Sequence, residues 1–133
     1  CGVNFIANHC TFFERKNNME IKFKLLSYTE NLINYMNLWL PNFPKKQIVL
    51  TQNIKQTGYD LLECVFGYNI QQSQRIKDKY LKDYLIKLSM YDFFVRESFH
   101  SKFISKNQAN SLTKIMVNCR KVAYGLIRSE KDV

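Results

Sequence analysis

Residues Ser111–Ser129 read SLTKIMVNCRKVAYGLIRS. Leu112, Ile115, Met116, Cys119, Ala123, Leu126 and Ile127 recur at spacings of three and four, the apolar stripe of an amphipathic helix that buries one face. Lys114, Lys121 and Arg128 stand seven residues apart, nearly stacked over one another on another face, and no acid interrupts them. The inner face asks for a helical bundle and the outer face for an anion.

The same periodicity recurs three more times upstream. A helix over about residues 20–40 would carry Leu25, Tyr28, Leu32, Tyr35, Met36 and Trp39 on one side. Pro41 ends it, because the residue before a proline avoids the α region. Pro44 suits the first turn of a second helix, where its missing N–H would go unpaired anyway. That helix runs to about Tyr68 and would bury Ile48, Ile54, Leu61, Leu62 and Val65. After the polar connector NIQQSQ, a third helix is expected over about 75–100, from Ile76 through Leu81, Tyr84, Leu88 and Tyr91 to Val95 and Phe99. Ser105 and Gln108 then match a capping box opening the fourth helix, which runs to about Arg128. Four long helices with short connectors predict an all-α, antiparallel up-down-up-down four-helix bundle over residues 19–129, with 130–133 as a tail. Residues 1–18 show no sustained period. Met19 is a plausible start, which would make 1–18 a loosely attached or non-native extension.

Composition fits one domain. The 133 residues are 46% hydrophobic and 23% charged, a globular balance rather than a disordered one. Four Gly and two Pro are too few for a turn-rich β fold. No apolar run approaches the roughly 20 residues that cross a bilayer, and no secretory signal is visible. A cytoplasmic protein without a membrane partner is expected. Cys1, Cys10, Cys64 and Cys119 form no CxxC pair, so reduced thiols are expected rather than a disulfide framework. Cys64 and Cys119 fall on apolar stripes as small core residues. His9 beside Cys10 lacks two further ligands for a metal, and no metal or cofactor is expected.

Net charge is +9, which implies an anionic partner without naming it. On the third helix Asp78, Asp83 and Asp92 precede Lys82, Lys87 and Arg96 by four residues. Such pairs neutralise themselves. Residues 98–129, by contrast, hold no acid but carry Lys102, Lys106, Lys114, Arg120, Lys121 and Arg128. Residues 31–59 also lack acids and carry Lys45, Lys46 and Lys55. An antiparallel bundle would gather Lys45, Lys46, Lys102 and Lys106 at one end, with the Lys114–Lys121–Arg128 stripe leading away over about 21 Å. That could track several phosphates, or the charges could merely keep the chain in solution.

Trp39, Tyr84 and Phe94 are candidates for the core or for stacking bases. Tyr91, Phe93 and Phe94 exceed one clean stripe, which points to a second buried surface in a homo-oligomer. Nothing marks an active site. There is no phosphate loop, HExxH, nucleophile elbow or paired carboxylates, and His100 sits at a helix end where positive charge suits the dipole. The chain is not expected to be an enzyme.

Three stretches resemble the accessory variability determinant (Avd-like) family of diversity-generating retroelements. They are FPKKQIVLTQNI at 43–54, LKDYLIKLSMYDFFVRESFHSKFISKNQ at 81–108 and CRKVAYGLIRS at 119–129. Arg120 stands where that family usually has Gly, and Leu126 where it has Trp. A related group, four-helix proteins encoded in intervening sequences of large-subunit ribosomal RNA, shares the Phe-Pro-Lys turn but not the second-helix signature, where this chain reads GYDLLECVFG. The first resemblance implies a ring-like homopentamer. It also implies binding to RNA or DNA and to a reverse transcriptase, aiding mutagenic cDNA synthesis without chemistry of its own. The alternative is a protein-binding scaffold with incidental positive charge.

Overall fold

The computed structural model describes residues 23–131. Helix α1 covers 23–39, α2 Ile48–Ile70, α3 Gln74–His100 and α4 Lys106–Lys131. They form an all-α four-helix bundle, and no strand occurs among the described residues. The expectation for residues 1–18 falls outside them, whereas α4 continues past its expected end to Lys131.

Each helix presents a narrow seam at alternating spacings of three and four. Leu25, Thr29, Leu32, Met36 and Leu40 line up at the first helix, and Ile54, Leu61, Val65 and Tyr68 on α2. Leu81, Tyr84, Leu88, Tyr91, Val95 and Ser98 follow on α3, and Leu112, Met116, Cys119, Ala123 and Leu126 on α4. This 3.5-residue period suits helices packed nearly antiparallel around a shared core. Truncating one such leucine to alanine costs about 2–5 kcal/mol in a typical core. α2 packs along α3, and α3 along α4. α1 closes the set where Ile33 meets Gly58 of α2, whose added Cβ would lie 3.2 Å from Ile33 Cγ1.

The seam is narrower than the sequence pattern implied. Tyr35 is 45% exposed, Ile48 59% and Ile76 41%, so these three lie outside it. Tyr35 and Ile76 sit about a quarter-turn from the buried row and Ile48 about a third of a turn from it. Tyr84 and Tyr91 belong to the core, while Trp39 and Phe94 pack half-buried against it.

The connectors follow from local chemistry. Pro41 lies in a 3-10 turn, Leu40–Asn42, closed by Phe43 N–H donating to the Leu40 carbonyl at 3.0 Å. Pro44 precedes a second 3-10 turn, Lys45–Gln47, that feeds α2. At the other connector the capping box is present: Gln108 N–H donates to Ser105 Oγ at 3.1 Å and Ser105 N–H to Gln108 Oε1 at 2.8 Å. α3 ends in a Schellman motif. Phe103 N–H reaches the Ser98 carbonyl at 2.8 Å, and Lys102 N–H the Phe99 carbonyl at 2.9 Å. Lys102 occupies the left-handed position of that motif, at φ 66°.

Polar groups inside the bundle are matched. Among the described residues no buried side-chain N or O lacks a hydrogen-bond partner. Thr29, Tyr84 and Cys119, from three helices, meet in one cluster. Burial there pushes the Tyr84 phenol far above its ordinary range and raises the Cys119 thiol as well.

Candidate nucleic-acid interface

The rings of Phe43 and Phe103 lie 5.2 Å apart. Phe43 belongs to the α1–α2 connector and Phe103 to the α3–α4 connector, so both connectors share one end of the bundle. Lys45, Lys46, Lys102 and Lys106 therefore gather there, all exposed. From that end the stripe Lys114, Lys121, Arg128 runs along the outside of α4, also exposed.

Arg120 behaves differently from its neighbours. Its Nη2 lies 3.4 Å from Asp92 Oδ2 of α3, and Arg96 Nε lies 3.7 Å from the same oxygen. One carboxylate thus serves two guanidinium groups, and Arg120 is half-buried. The acid-free run in the sequence hid this, because the neutralising acid comes from another helix.

The i,i+4 pairs expected on α3 form only at Asp92–Arg96. Lys87 instead reaches across to Asp60 of α2 at 3.2 Å, and Asp78 accepts from Gln74 Nε2 at 3.3 Å. Lys82 makes no ion pair among the described residues. It lines a groove of about 870 Å³ between α3 and α4, facing Lys121 and Arg128. The i,i+4 spacing predicts that Asp78 neutralises Lys82; the structure instead leaves it without an ion pair among the described residues.

The floor of that groove is apolar. Leu85, Ile86, Val117 and Ile127 line it together with Tyr124. Along α4 the outer row reads Lys114, Val117, Lys121, Tyr124, Arg128, with steps of three and four. Exposed apolar groups therefore alternate with exposed cations. The sequence signal was available in those steps, but only the packing of α3 alongside turns the row into one wall of a groove.

A second, smaller recess between α2 and α3 is lined by Asp60, Glu63, Cys64 and Asp83. Burial, and then those three carboxylates, push the Cys64 thiol up to about 11, so it stays protonated and unreactive at neutral pH. Cys64 and Cys119 are both free thiols. Among the described residues no group of His, Cys, Asp or Glu could hold a metal ion, and no helix is long and apolar enough to cross a membrane.

No family model and no curated protein matches the chain. A solved structure does: a protein of unknown function from the S23 ribosomal protein family of Bacteroides thetaiotaomicron VPI-5482. It superposes with a TM-score of 0.65 over 81% of this chain and 95% of the other, at 17% identity. At that identity the two share a helical-bundle fold, and the likeness extends to nothing else.

Proposed function

We propose that this protein is a non-catalytic nucleic-acid-binding accessory of a reverse transcriptase in a diversity-generating retroelement. The observation that carries the binding half is the set of cations, Lys82, Lys121 and Arg128, that make no ion pair among the described residues and line one α3–α4 groove, with Lys114 further along the α4 row. The Avd-like resemblance of residues 43–54, 81–108 and 119–129 supports the reverse-transcriptase half. Cations that track a phosphate backbone release counterions, so affinity should be salt-sensitive and tolerant of sequence. A ring-like homo-oligomer, five-fold by the same resemblance, belongs to this proposal; exposed Ile48, Val49, Tyr59 and Phe66 on α2 offer apolar surface for it.

The test is fluorescence anisotropy with labelled RNA and DNA between about 50 and 200 mM salt. Converting Lys114, Lys121 and Arg128 to Gln should lower affinity and shrink the salt slope by up to about 0.9 per lost duplex contact. The same change at Lys87, Arg96 and Arg120, each beside an acid, should do much less. Equal losses would mean a diffuse charge effect, and no binding by the unaltered protein would end the proposal. A reverse-transcriptase gene flanked by variable and template repeats beside the coding sequence would support the retroelement role.

A second function is favoured by one feature. Ile86, Met90 and Phe93 are exposed in a row on α3, which would suit a protein-binding scaffold. Loss of a protein partner on mutating Met90 and Phe93, which lie outside the groove lining, with nucleic-acid affinity intact, would select it.

A further inference from the structure

We infer, resting on the nucleic-acid function proposed above, that the α3–α4 groove takes a single strand rather than a duplex, with Tyr124 as the stacking platform for a base. Tyr124 is 52% exposed and its ring has no aromatic partner among the described residues. It lies three residues after Lys121 and four before Arg128, so both cations flank it on one face of α4. Ile86 of α3, 62% exposed, lines the same groove. A duplex presents phosphates and sugars outward and keeps its bases stacked inside, so such apolar groups gain little from it. An unpaired base offers a π-face to the ring while its neighbouring phosphates reach the cations.

The experiment compares labelled twelve-nucleotide oligo(U) and oligo(dT) with a twelve-base-pair DNA duplex as probes. Tyr124→Leu keeps apolar bulk and helix propensity but removes the ring, and circular dichroism checks its fold. The unaltered protein should bind the single strands more tightly than the duplex. Tyr124→Leu should lose roughly tenfold in single-strand affinity, change duplex affinity by less than about twofold and leave the salt slope alone. Lys121→Gln should weaken both probes and reduce the slope. Unchanged single-strand affinity in Tyr124→Leu, or equal losses on both probes, overturns the stacking role while the nucleic-acid function stands. A change of oligomer mass without a change of strand preference overturns it too, making the groove a subunit contact. Failure of the unaltered protein to bind any probe would instead bring down the underlying function.

Discussion

The Tyr84 hydroxyl lies 2.6 Å from Thr29 Oγ1, and Thr29 Oγ1 donates its proton to the Leu25 carbonyl, also at 2.6 Å. Thr29 has one hydroxyl proton, so Tyr84 must be the donor between the two side chains. The pair joins α1 to α3 at the centre of the bundle, and the Cys119 thiol of α4 hydrogen-bonds within the same cluster.

The losses from removing the two members should not add. Thr29→Val strips the acceptor from a buried phenol and should cost about 1–3 kcal/mol. Tyr84→Phe should cost about 1 kcal/mol, the net worth of a typical hydrogen bond. The double variant should be more stable than the sum of the two losses predicts, because no phenol is left unpaired. Urea denaturation of the four proteins measures this, and strict additivity would show that the cluster does not couple.

Stability should fall on the alkaline side. Burial raises the folded Tyr84 and Tyr91 phenols above their ordinary value of 10.0, and the Cys119 thiol above 9.0. The unfolded chain therefore releases those protons first, and its protonated fraction falls below that of the folded chain. The stabilising contribution is complete below about pH 9 and declines above it. The loss steepens past pH 10, by up to about 1.4 kcal/mol per pH unit for each group. Tyr91→Phe should flatten the steeper limb in a pH series of urea melts.

Lys102 is held at φ 66° with a side chain that disfavours that region. Lys102→Gly should therefore stabilise the protein by about 1 kcal/mol, keeping both Schellman hydrogen bonds. Thermal melting should rise by a few degrees. A fall would mean that the lysine side chain supplies more than the strain costs.

The same substitution at two helix glycines should act in opposite directions. Gly125→Ala meets open space and should stabilise α4 by about 0.5–1 kcal/mol. Gly67→Ala would place its Cβ 2.5 Å from Tyr80 Cε1, where α2 and α3 approach closely, so Tyr80 must move and stability should fall. Shortening Tyr80 to Leu should rescue it.

Arg120 and Lys121 are adjacent in sequence but differ in environment. Lys121→Gln should weaken nucleic-acid binding more than Arg120→Gln, since Asp92 already neutralises Arg120. Anisotropy titrations side by side measure the difference. Equal effects would show that Arg120 leaves Asp92 to bind.

The buried row of α4, Leu112 to Leu126, was legible because a helix repeats its inward direction every three or four residues whatever surrounds it. The capping box at Ser105 and Gln108 was legible for a similar reason, since both partners lie within one turn. Charge pairing is not local in that way. Lys87–Asp60 and Arg120–Asp92 depend on how one helix is rotated against the next, and an ion pair forms or fails over a few ångströms. The i,i+4 rule correctly joined Asp92 to Arg96, but it wrongly paired Lys82 and left Arg120 free. Spacing likewise put Tyr35, Ile48 and Ile76 on apolar faces without saying how wide a face the neighbours would cover. Sequence alone determined four amphipathic helices and an excess of positive charge. Tertiary packing decided which cations remain unpaired and which apolar side chains line the groove between α3 and α4, because both depend on distances across helices that no spacing along one helix encodes.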